Sequence, residues 1–155
     1  MLKTFFRTGL LAAAIVVLGL AAEASAQSIT GSLGTLTRGK SSRATVYLSM
    51  PGGLHVNSSR PNSEYAIPTS VRASGKGVTV GSVMYPRGQN RKFAFSESAI
   101  NVYEGRAAFG FNVTVPANYR GDSVRVNVTV KYQACTNEVC YPPKSKSITL
   151  TARVK

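Results

Sequence analysis

From residue 44 onward, apolar residues return at every second position in five separate runs. Ala44, Val46 and Leu48 alternate with Thr45, Tyr47 and Ser49. Val78 and Val80 flank Thr79. Ala107, Phe109, Phe111, Val113 and Val115 form the third run, and Val124, Val126, Val128, Val130 and Tyr132 the fourth. Ile148, Leu150, Ala152 and Val154 close the chain. A period of two places one face of a strand in a core and the other in water. Turn signals separate the runs: Pro51-Gly52-Gly53, Gly75-Lys76-Gly77, Pro86-Arg87-Gly88, Ala117-Asn118, Gly121-Asp122 and Pro142-Pro143. No long stretch has helical period, and there is no repeat or low-complexity linker. Short strands with frequent turns predict an all-β antiparallel sandwich. Two irregular segments, 54–68 and 93–103, read as long connections over one end of it, and loops on a rigid sheet are where function concentrates.

The first residues read as an export signal. Lys3 and Arg7 precede an uncharged apolar run over 10–22, and Ala24-Ser25-Ala26 supplies the small-x-small pattern of a cleavage site. A run of about 13 residues is short of the roughly 20 that span a bilayer. The expectation is cleavage after Ala26 and one mature domain over 27–155, exported to the periplasm. Such a chain is long enough to fold without staples. The 19 basic and 6 acidic residues, less Lys3, Arg7 and Glu23, leave 17 and 5, a net of +12. The basic residues are scattered, Arg91-Lys92 is the only adjacent pair, and no aromatic RNA-binding motif accompanies them. The excess reads as solubilising charge, with no nucleic-acid partner and at most peripheral membrane contact.

Counting removes most familiar active sites. A Ser-His-Asp triad must use His55, the only histidine, and no nucleophile-elbow pattern supports one. Four-ligand zinc sites need more than the three Cys and His residues present, so no metal is expected. No phosphate-binding glycine loop follows a strand, and no other cofactor is called for.

Cys135 and Cys140 remain. The run ending at Tyr132 leads into them and the run around Ile148 leads out, so the two sulfurs lie on either side of a hairpin tip, within bonding reach. Export favours their oxidation. A structural staple is one reading. Closing so short a loop restricts the unfolded chain by only about 2 kcal/mol, however, and a bridge at an exposed tip is open to attack by another thiolate. Spacing alone leaves staple and exchange site both open.

At this segment the chain resembles the amino-terminal periplasmic domain of the thiol–disulfide interchange protein DsbD. The family's hallmark is Tyr-Gln-x-Cys, a few residues, then Cys-x-Pro-Pro. Here it reads Tyr132-Gln133-Ala134-Cys135 and Cys140-Tyr141-Pro142-Pro143. Upstream, Gly53-Leu54-His55-Val56-Asn57 is similar to the family's Gly-Trp/Tyr-His-x-Asn element. Ile67-Pro68-Thr69, Tyr85-Pro86 and Val102-Tyr103-Glu104-Gly105 resemble further elements in the same order. The resemblance covers roughly residues 41–150.

It implies an immunoglobulin-like fold and an electron relay through a Cys135/Cys140 dithiol–disulfide pair. Cys140 is then the exchanging nucleophile and Cys135 the resolving thiol. A cap loop, by position 93–103, shields the pair, with Phe95 the first candidate and Tyr103 and Tyr141 the next. The implied partners are thioredoxin-fold redox proteins. DsbD also carries a multi-helix membrane domain and a terminal thioredoxin domain. Neither follows before Lys155, so a free-standing oxidoreductase module served by a separate membrane electron donor is expected. The alternative is a non-catalytic immunoglobulin-like binding module with a structural disulfide.

Overall fold

The computed structural model describes residues 27–155; the expected export signal and cleavage site lie outside the described residues. Eleven strands run in chain order: β1 Ser28–Leu33, β2 Ser41–Ser49, β3 His55–Asn57, β4 Ser70–Gly75, β5 Thr79–Val80, β6 Gln89–Arg91, β7 Ile100–Glu104, β8 Arg106–Thr114, β9 Ser123–Tyr132, β10 Ala134–Cys135 and β11 Lys144–Arg153. No helix occurs among the described residues. The strands form sheets of order β1-β2-β8-β5, β11-β9-β4 and β10-β3-β7-β6, antiparallel throughout. The protein is an immunoglobulin-like antiparallel β-sandwich, as the period of two and the family resemblance predict.

The alternating runs supply the core. Val124, Val126, Val128, Val130 and Tyr132 of β9 are buried, while Arg125, Asn127 and Lys131 between them face water. Ala44, Val46 and Leu48 of β2 meet Ala107, Phe109, Phe111 and Val113 of β8 in the same cluster, with Leu150 and Ala152 of β11. Where the two layers approach, Gly31 of β1 leaves no room for a side chain. A Cβ there would sit 2.9 Å from Leu150 Cδ2 and 3.0 Å from Thr45 O.

The small sheet β10-β3-β7-β6 positions the site. Gly105, at φ +65°, is the single residue between β7 and β8, where the chain leaves the small sheet for the large one. A residue without Cβ takes that conformation at no steric cost. One face of the small sheet, with Val56, Tyr103 and Ala134 in register, joins the main core. The other face carries a separate apolar cluster of Phe93, Ile100 and Val102, with Ala66 packed against it.

Two expectations need correction. Residues 93–103 are not one loop, because β7 begins at Ile100. Residues 54–68 likewise contain β3. Both strands are covered on each face, so neither shows the alternation of a half-exposed strand.

Candidate functional site

Cys135 and Cys140 form a disulfide across a hairpin tip, with Cα atoms 4.0 Å apart. The tip holds itself closed. Thr136 N donates to Val139 O at 2.8 Å, and Thr136 Oγ1 accepts from the backbone N–H groups of Glu138 and Val139 at 3.2 and 3.1 Å. Below the cysteines, Tyr141 N donates to Ala134 O at 2.9 Å. The two residues differ sharply in access: Cys135 is wholly buried in β10, whereas Cys140 is exposed.

Side-chain amides fasten this hairpin to the sandwich. Asn57 Nδ2 donates to Gln133 Oε1 at 3.1 Å and to Ile67 O at 3.0 Å. Gln133 Nε2 in turn donates to Tyr141 O at 3.2 Å. Thr69, itself buried, donates from Oγ1 to Asn57 O at 2.6 Å. The elements singled out in the sequence, Leu54-His55-Val56-Asn57, Ile67-Pro68-Thr69 and Tyr132-Gln133-Ala134-Cys135, therefore meet in one hydrogen-bonded network beneath the disulfide.

An open cleft of about 580 Å³ lies beside the exposed residue Cys140. Cys140, Gln133 and Asn57 line one part of it, Phe95, Ser96 and Glu97 another, and Glu64 and Tyr65 a third. Phe95 is half exposed and stacks on buried Phe93, ring centroids 5.3 Å apart and planes within 2°. Phe93 stacks on His55 at 4.2 Å. The structure thus brings Phe95 and Cys140 to one cleft. Tyr141 follows Cys140 with an exposed ring and is not among the residues lining the cleft. Tyr103 is elsewhere. It faces the main core, edge-on to Phe109 at 6.0 Å, and its hydroxyl is hydrogen-bonded to Ser59. It points away because the neighbouring position, Glu104, occupies the site side of β7.

Two further residues stand at the site. Phe93 lies stacked between Phe95 and His55. His55 is paired in register with Cys135 on one side and Glu104 on the other. Its burial pushes its pKa below the ordinary histidine value, against a smaller upward pull from Glu104. The imidazole is therefore neutral at neutral pH. Glu104 is in turn clamped by Arg91, whose Nη2 lies 2.8 Å from its carboxylate. No cluster of metal-ligating side chains occurs among the described residues.

The family profile described as thiol:disulfide interchange protein DsbD, N-terminal, matches residues 33–152. The chain belongs to the DsbD amino-terminal domain family. Among solved structures, the amino-terminal periplasmic domain of ScsB from Proteus mirabilis is 14% identical with a TM-score of 0.50. That match covers 79% of this chain and 44% of the ScsB chain, and it shows likeness of fold. The reduced DsbD amino-terminal domain of Neisseria meningitidis is 17% identical with a TM-score of 0.45, covering 71% of this chain and 80% of that one. No curated protein matches the chain. Membership of a periplasmic DsbD family, together with the Cys135–Cys140 disulfide, supports thiol–disulfide exchange with thiol-redox partners in general terms.

Proposed function

We propose that the protein is a periplasmic thiol–disulfide exchange module that relays two electrons through Cys135 and Cys140 to or from thioredoxin-fold proteins, fed by a separate membrane electron donor. The observation that carries this reading is the asymmetry of the pair: Cys140 opens on a cleft while Cys135 is buried behind it. Thiol–disulfide exchange needs one sulfur that an incoming thiolate can reach along the sulfur–sulfur axis. It also needs a second thiol that is held close to the first and shielded from competing partners. A staple needs neither asymmetry nor a cleft, and this one would close too short a loop to stabilise the fold by more than about 2 kcal/mol. The reduction potential of the pair tests the reading, by equilibration in graded thiol buffers with thiols counted by alkylation and mass. Titration within the range of thioredoxin-fold oxidoreductases supports it. A pair that stays oxidised throughout refutes it.

Phe95 is the shield in this reading, held over the cleft by its stack on Phe93. Phe95→Ala is expected to speed, several-fold, the modification of the reduced pair by a small alkylating agent. Because the ring is half exposed, the unfolding midpoint should move less than for truncation of a core residue. Alkylation kinetics read by mass check this, and an unchanged rate removes Phe95 from the site.

A further inference from the structure

Of the buried side-chain nitrogen and oxygen atoms among the described residues, Nε2 of His55 stands out in making no hydrogen bond. Leaving a buried polar atom unpaired is unfavourable, and such an atom in a native fold calls for an explanation. His55 is 3% exposed, and its ring is fixed against Phe93. Directly across the sheet from it stands Cys135, which is 0% exposed. Residues opposite one another in an antiparallel pair project to the same face, with Cβ atoms about 4.5–5.5 Å apart. On the far side of His55, in the same row, is Glu104.

Resting on the exchange reading, we propose that His55 is the proton acceptor and donor for Cys135. A thiol attacks only as its thiolate, and burial in apolar surroundings disfavours that form. Cys135 has no water-exposed surface through which to lose its proton, so a base must stand beside it. After Cys140 has formed a mixed disulfide with a partner protein, Cys135 gives its proton to the free lone pair of His55. The electron pair left on Cys135 Sγ forms the bond to Cys140 Sγ. The bond between Cys140 and the partner's sulfur breaks, and the partner departs as a thiolate with that electron pair. The protein dithiol is oxidised by two electrons and the partner's disulfide is reduced by two. In the reverse direction an incoming thiolate attacks Cys140, Cys135 leaves with the electron pair, and the imidazolium returns the proton to it.

The groups facing His55 suit both states. Cys135 comes from β10, Phe93 from the cap segment is uncharged, and Glu104 comes from β7 with Arg91 of β6 bound to its carboxylate. Glu104 stabilises the imidazolium when it forms. Burial, the larger influence, keeps the resting ring neutral. This is the base-and-orienter logic of other activated cysteines, distributed over three neighbouring strands.

The test uses the reduced protein and the aromatic disulfide dithiobis-nitrobenzoate. Attack by Cys140 releases one thionitrobenzoate, and closure by Cys135 on the mixed disulfide releases a second. In the wild type the closure rate should rise with pH through the titration of His55. In His55→Gln that inflection should vanish and closure at neutral pH should slow at least about tenfold, within the range ordinary for general base catalysis. Circular dichroism reports that the variant is folded, and the first release, governed by Cys140, should keep its wild-type rate. Closure with the wild-type rate and pH profile overturns the proposal while leaving exchange intact. Failure of both proteins to close a disulfide overturns the exchange reading and this inference with it. Should His55→Gln not fold, the wild type decides the matter by NMR, since His55 is the only histidine in the sequence. Its titration midpoint must differ between dithiol and disulfide forms, and an identical midpoint overturns the proposal.

Discussion

Cys135→Ala accumulates a stable mixed disulfide with a thioredoxin-fold protein through Cys140, and Cys140→Ala accumulates little or none. The expectation follows from access. Cys140 is exposed at the cleft that Phe95 borders, so it can meet a partner's sulfur whether or not Cys135 is present. Cys135 is wholly buried in β10, behind the hairpin tip, and cannot. Once the mixed disulfide exists, its release requires a second thiolate, and Cys135 is the one held within 4.0 Å, Cα to Cα. Pro142 and Pro143 add to the asymmetry, since they lack backbone donors and interrupt the strand pairing between Tyr141 and Lys144. A non-reducing gel with adducts identified by mass spectrometry reads the result. Equal trapping by both variants reverses the assigned polarity. If neither traps a partner and both lose the roughly 2 kcal/mol of a short-loop staple, the structural reading stands instead.

Phe109→Ala should lower the stability of the fold by about 3–5 kcal/mol, a large share of the 5–15 kcal/mol of an ordinary domain. Phe109 is wholly buried in β8. Its ring meets Tyr103 of β7 edge-on at 6.0 Å and Tyr85 edge-on at 5.7 Å. The Tyr85 hydroxyl accepts from the backbone N–H of Val71 in β4 at 2.9 Å. One side chain thus joins a strand of the first large sheet to the small sheet, and through Tyr85 to the second large sheet. Truncation leaves a cavity at that junction and removes two aromatic pairs at once. The measurement is the urea midpoint, which should fall with its slope unchanged. A loss below about 1 kcal/mol, which is small for such a truncation, contradicts the packing described.

The long strands were legible because each is half exposed. β2, β8, β9 and β11 show the period of two that a core on one side and water on the other imposes. The short ones were not. β6 is Gln89-Asn90-Arg91, exposed at every position, and nothing in its composition separates it from the preceding turn. β7 is buried at Ile100, Val102 and Tyr103 because it lies between two apolar clusters, so it reads as neither a strand with an outer face nor a loop. The side on which Tyr103 lies is hidden for the same reason: it is decided by the register of β7 on β3, not by its distance from Phe95 along the chain.

At the site, the cysteine hairpin and the Gln133 and Asn57 elements were visible as motifs, and the structure explains them as one hydrogen-bonded unit. The standing of His55 was not visible. It depends on pairing β3 with β10, two short strands far apart in the chain. No local pattern encodes such a pairing. The signal that could have raised it is the presence of a lone histidine among apolar neighbours, within an element that already resembled the family.

The reduction potential of the Cys135–Cys140 pair tests the central claim most directly. An exchange module must take electrons from one thioredoxin-fold protein and pass them to another. The account therefore predicts a potential between roughly −180 and −270 mV, the span of disulfide isomerase and thioredoxin. A value below roughly −300 mV, where structural disulfides of secreted proteins lie, would contradict it.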